Sequence, residues 1–313
     1  METKIQSIRP IHRIKFFMFL SLQIPSSILS LLIFIFFLKN PNHLRKLQNQ
    51  ALLVLFLINF IQLSVNMPMV IHFLRFSRII PSTGSYCRLW MFAESTLDAS
   101  NAITVAVMSI QRHTLIFHPT ILRALTKRCV YYYFPLLLST VYPLTFYLAT
   151  VVFYPCDPSQ WNFTLNMCGD STCYLSDNPI LATFDWIVNT GLPIFTIILA
   201  NLALMIRVVK QKARRQQALP WAKQRRMTIQ LLSIASLYLA TWIPSITTGL
   251  MQQINASEYI YEFQEDYISD LTYFICLLLP AMSLGLLPDF TKWIWKHFRR
   301  LQRPTNVVGT TVL

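Results

Sequence analysis

Apolar runs as long as a membrane span recur from one end of this chain to the other, broken only by short polar or basic clusters. No soluble core can hide so many, because the buried fraction of a globular chain rises slowly with size. A bilayer can, since about 20 residues of helix at 1.5 Å each cross its hydrocarbon layer. Seven segments meet that measure, at roughly 16–38, 51–73, 88–111, 130–153, 180–206, 227–251 and 267–288. With 54% hydrophobic and only 13% charged residues, the few charges are left to the connections. The expected fold class is an all-α membrane protein, a seven-transmembrane helix bundle. The first run is too long for a signal-peptide core and lacks a small-residue cleavage site, so it reads as a retained span.

A formal charge of +14 would suit nucleic acid if it lay on a soluble face, but the basic residues sit between spans, so no nucleic-acid partner is expected. No Gly-rich phosphate loop, CxxC pair or HExxH is present, and the six His are scattered. The chain is therefore not expected to be an enzyme, and no cofactor or metal is expected. Beyond the last span, Phe290, Trp293, Ile294, Phe298 and Leu301 repeat at three and four residues, with Lys292, Lys296, Arg299 and Arg300 opposite. That pattern predicts a short amphipathic eighth helix lying on the membrane surface. The domain reading is an extracellular tail at 1–15, a membrane domain at 16–288, the surface helix at 289–302 and a cytoplasmic tail at 303–313.

Orientation follows from Lys and Arg. With the N-terminus outside, the inner loops and tail hold 20 of the 27, against which Lys4, Arg9, Arg13 and Lys15 at the N-terminus argue the other way. Two glycosylation sequons, at Asn162 and Asn255, fall in loops this topology puts outside. Four of the six cysteines, Cys87, Cys156, Cys168 and Cys173, fall on the same side, which is oxidising. The expected location is the plasma membrane, multi-pass, with the C-terminus cytoplasmic.

Cys87 opens the third span and Arg112 ends it 25 residues later, inside Gln111-Arg112-His113, with Pro119 beyond. The sixth span carries Thr241-Trp242-Ile243-Pro244, the fifth Pro193, and the second Asn59 followed by Pro68. In this order and spacing, over roughly 16–302, the chain resembles the rhodopsin-like G-protein-coupled receptor family. The resemblance implies a receptor that couples an external ligand to a heterotrimeric G protein. It assigns activation to Arg112 with Gln111 and His113, to Trp242 and Pro244, and to Pro280 in Leu279-Pro280-Ala281-Met282-Ser283. Pro288 is a competing alignment for Pro280.

Departures from the family pattern matter. The carboxylate usually beside the arginine is Gln111, and the acid near the start of the sixth span is replaced by Gln224. Arg112 is then held by hydrogen bonds to neutral groups, which are weaker than ion pairs, and ligand-independent signalling is expected. The family's mid-membrane sodium site carries Asn59 and Asn101 with no carboxylate, so no sodium dependence is expected.

Glu94, Asp98 and Asn101 are spaced by four and three, so they share one face of the third helix. Two acids cost about 5–7 kcal/mol near the bilayer centre, so this face should turn inward. Asp185 in the fifth span is expected to join it. By resemblance, Glu94 stands where amine receptors hold their amine, Tyr273 where a tyrosine helps, and Trp242 beneath. The aromatic pair that usually follows Pro244 is Ser245-Ile246, and the second and third outer loops add acids (Asp157, Asp170, Asp177, Glu258, Glu262, Glu265, Asp266) without Lys or Arg. The expected ligand is cationic, a basic peptide ahead of a monoamine. The alternative is structural, with Glu94 and Asp98 sharing a proton or bonding neighbouring spans.

The resemblance also implies a disulfide from Cys87 to the second outer loop, with Cys173 preferred and Cys156–Cys168 as a second bridge; four cysteines allow three pairings. Cys129 and Cys276 are expected to be free and buried. The final Thr-Thr-Val-Leu fits strand addition to a PDZ domain. Rival readings are a chemosensory receptor for small external compounds, a non-signalling decoy receptor, and a transporter, which would need internal repeats or broken helices in matching positions.

Overall fold

The computed structural model describes residues 10–117, 124–155, 161–169, 173–213, 221–254 and 263–301; side chains at 211–228 lie outside the described set. Among the described residues there is no strand. Among the described residues eight longer helices run in chain order, with single helical turns at Pro41–Leu44 and Cys173–Asp177 between them: α1 Pro10–Lys39, α2 Leu47–Phe76, α3 Gly84–Phe117, α4 Leu125–Val152, α5 at 179–213, α6 Trp221–Ile254, α7 at 264–286 and α8 Pro288–Leu301. Every expected span lies within or against one of these helices. Most run several residues past it, because helix continues where the chain leaves hydrocarbon.

Local chemistry sets the ends. α1 ends at Lys39, with Asn40 and Pro41 starting the short helical turn that follows. α2 ends on Ser77 in the left-handed conformation (φ 50°), whose N–H reaches Phe73 O at 2.7 Å. Asn178 caps α5 through Oδ1 to Leu181 N at 3.1 Å, with Pro179 in the first turn. α4, α5 and α7 contain π-helical segments at Cys129–Tyr133, Leu148–Val152, Trp186–Gly191 and Gln264–Ile268. The break at Leu287 puts Pro288 in the first turn of α8, which removes it as the seventh-span proline and leaves Pro280 inside α7.

α3 is the central strut, packing against α2, α4, α5 and α6, while α1 and α7 close the bundle on α2. Among the described residues, five helices are long and apolar enough to cross a membrane by length and composition. α3, which carries Glu94, Asp98 and Arg112, is not among them, and α7 qualifies only as the shorter stretch Ser269–Met282. Phe17, Leu137, Ile187 and Phe195 are all more than half exposed, a surface that water would not tolerate and lipid would. The expected stripe on α8 is only partly a membrane face. Phe290 is fully buried, its ring 5.5 Å from Phe36 of α1, and Trp293 stands 5.9 Å from the same ring.

Candidate functional site

A buried polar column runs between α2 and α3. Asn59, Gln62 and Asn66 share one face of α2, and Glu94, Asp98 and Asn101 share one face of α3. Asp98 Oδ1 accepts from Gln62 Nε2 at 2.6 Å, and Gln62 Oε1 accepts from Asn101 Nδ2 at 2.8 Å. One glutamine thus ties the acid to the amide three residues along. Asn101 turns to Gln62 rather than to Asn59, whose own amide reaches Cys276 O of α7 at 3.0 Å. Glu94 is buried and Asp98 half-buried. Tyr273 of α7 is buried within the electrostatic field of Glu94, Asp270 and Asp98, and Tyr238 of α6 within that of Asp98. Trp242 is half-buried, packed against the core one turn beyond Tyr238.

Asp185 is fastened elsewhere. Its carboxylate accepts from Tyr147 of α4 at 2.7 Å, from Tyr174 at 2.9 Å and from Asn189 at 2.5 Å. Three donors make it a tie between α4, α5 and the turn Cys173–Asp177 rather than a partner of the α3 face. Sequence reasoning missed Gln62, since a lone glutamine in a span gives no periodic signal, and it missed Asp270. That carboxylate pairs with Lys15 of α1 at 2.6 Å with little exposure on either side. Lys15, a cation that argued against an outer N-terminus, is thereby neutralised.

At the same end, Cys87 is bonded to Cys168, not to Cys173. Left-handed residues Met167 and Cys168 fold the loop back, and Asn162 N to Cys168 O (3.1 Å) and Ile79 N to Phe163 O (2.9 Å) pin it over α3. Cys173 is in a disulfide of its own, so Cys168 is not the loop's internal partner; Cys156 lies outside the described residues. Cys276 is free and buried as expected, whereas free Cys129 is exposed at the start of α4. Asn162 is exposed, its Oδ1 accepting from Thr164 N and Oγ1 at 3.0 and 2.6 Å. Of the loop acids, Asp177 is exposed. The others, with Asn255, Gln224 and the last twelve residues, lie outside the described side chains.

The opposite end is built around Arg112, 2% exposed. Gln111 does not turn to it: Gln111 Nε2 donates to Tyr132 O of α4 at 2.9 Å. The Tyr132 hydroxyl donates to Leu47 O and accepts from Ala51 N at 3.2 Å, joining α4 to the start of α2. The Arg112 guanidinium also lies close to Tyr132. Asn201 of α5 reaches Ser109 Oγ at 3.3 Å, three residues before the arginine. His113 is half-buried. In α6, Thr241, Ser245, Thr247 and Thr248 return their hydroxyls to carbonyls three or four residues back, on both sides of Pro244. Such back-bonds bend helices where a proline has already removed one N–H. Pro280 is buried within α7.

A bundle of seven long helices closed by a disulfide at one end, with acids within it and a buried arginine at the other end, is the architecture of a multi-pass membrane receptor. Residues 29–283 match the family described as 7 transmembrane receptor (rhodopsin family), more than half of the chain, and the chain belongs to that family. No curated protein matches it.

Proposed function

We propose that the receptor sits in the plasma membrane with its N-terminus outside, binds a cationic ligand on the Glu94–Asp98 face, and signals through a heterotrimeric G protein at the Arg112 end. The observation that carries the ligand class is the pair of acids on the inward face of α3, with Asp98 oriented by Gln62 and Tyr273 alongside. Two carboxylates are too costly at that depth to serve as filler. A basic peptide fits better than a monoamine, because Ser245 and Ile246 replace the aromatics that would enclose a small amine. Tyr238 of α6 stands by Asp98, and Trp242 and Pro244 follow it within two turns on the same helix, where a ligand-driven change in α6 would be felt. Orientation is supported by the Lys and Arg distribution and by the exposed sequon at Asn162, on the disulfide end.

The test is G-protein activation in cells expressing the wild type, Arg112→Ala or an empty vector. Basal or ligand-evoked signal in the wild type that disappears with Arg112→Ala is the expected result. Surface-expressed protein that binds cations but activates no G protein would favour a decoy receptor. A cation current or flux with no G-protein signal would favour a transporter.

A further inference from the structure

We infer that the Glu94–Asp98 site takes a ligand carrying two positive charges about 6 Å apart, the axial spacing of residues four apart on a helix. This rests on the cationic-ligand reading above and narrows it. Asp98 receives one amide donor, from Gln62, and a carboxylate offers roughly four lone-pair sites. Asn66 stands one turn along α2 from Gln62. Because α2 and α3 run antiparallel, and Gln62 is level with Asp98, Asn66 is level with Glu94. Asn66 is 0% exposed, and neither its amide nitrogen nor its oxygen has a hydrogen-bond partner. On the other side, the Tyr238 hydroxyl is buried near Asp98, also without a partner. Unused buried polar groups are uncommon in folded proteins, and two of them flank the acids here.

The titratable groups facing the pair are Tyr273 and Cys276 on α7 and Tyr238 on α6, with Asp270 next to Tyr273. Lys15 is the base at this cluster among the described residues, and it is engaged with Asp270. A single ammonium meets one of the two carboxylates; two meet both. The Asn66 and Tyr238 oxygens then accept N–H groups that the carboxylates leave over. The shared chemistry is a dication, whether a small diamine or neighbouring basic side chains of a peptide.

The experiment uses the full-length receptor in lipid nanodiscs, with thermal stabilisation followed against concentration. The probes are α,ω-diaminoalkanes from diaminopropane to diaminooctane, the matching 1-aminoalkanes, and N-acetyl-Lys-Lys-amide. A diamine of matching length, or the dibasic peptide, should reach half its effect at a concentration roughly tenfold or more below the monoamine's. Glu94→Gln and Asp98→Asn should each erase that advantage, and Asn66→Leu should weaken it. The unliganded melting temperature of each variant, read in the same run, shows whether it is folded. Equal potency of mono- and dications, or a preference that survives both acid substitutions, overturns the two-charge inference and leaves the cationic site standing. No stabilisation by any of the cations overturns both. Stabilisation by the peptide alone upholds the inference and assigns it to a peptide ligand.

Discussion

Gln62 donates to Asp98 and accepts from Asn101, so its amide is oriented from both sides and cannot flip without losing both bonds. Replacing it by leucine leaves a buried acceptor and a buried donor without partners, each worth about 1–3 kcal/mol. Gln62→Leu should lower the melting temperature of the purified receptor; an unchanged value would mean that water or a rotated neighbour replaces the amide. Gln111 presents a different trade. Its amide holds the Tyr132 carbonyl, which a carboxylate cannot do. Gln111→Asp would give Arg112 an adjacent charge while releasing α4. Lower basal G-protein signalling than wild type is the expected outcome, and basal activity equal to wild type would show that position 111 does not govern the arginine. At this scale the acids were legible, because charges in an apolar run stand out. Gln62 and Asn66 were not, because a single amide in a span gives no pattern until a neighbouring helix supplies its partner.

α6 and α5 meet at a glycine. A Cβ on Gly249 would stand 2.7 Å from Trp186 Cη2, far inside contact distance. In an isolated helix Gly→Ala gains about 1 kcal/mol; here overpacking against the indole should outweigh that gain by costing about 1–3 kcal/mol. Gly249→Ala should therefore lower thermal stability, and Trp186→Leu in the same chain should recover part of the loss. If the single variant is instead stabilised, the indole moves aside freely. Trp186 begins the π-helical segment of α5, and the residues after it run into Pro193. Such segments are invisible to helical periodicity, which is why the sequence suggested an unbroken fifth span. α8 shows the reverse case: its stripe was readable at once, but that Phe290 packs on Phe36 depends on where α1 ends.

At the scale of the whole molecule, the disulfide and the sequon test how the chain is threaded. Peptide mapping under non-reducing conditions should recover Cys87 linked to Cys168, and a Cys87–Cys173 peptide would restore the pairing that the family resemblance implies. With the N-terminus outside, Asn162 is on the glycosylated side. Wild-type receptor from eukaryotic cells should shift on glycosidase treatment, and Asn162→Gln should lose part or all of that shift. A wild type that shows no shift would argue for the inverted topology.

Span number, helical class and the inward turn of the third-helix acids were determined by the sequence alone, because apolar length and charge in hydrocarbon are properties a linear chain carries before it folds. The partners were decided only by tertiary structure. Whether Cys87 meets Cys168 or Cys173, whether Asn101 faces Asn59 or Gln62, and whether Asp185 serves a ligand or two tyrosines depend on how each helix is rotated and how far it slides along its neighbour. A shift of one turn, about 5.4 Å, exchanges one partner for the next while leaving the hydrophobic pattern unchanged.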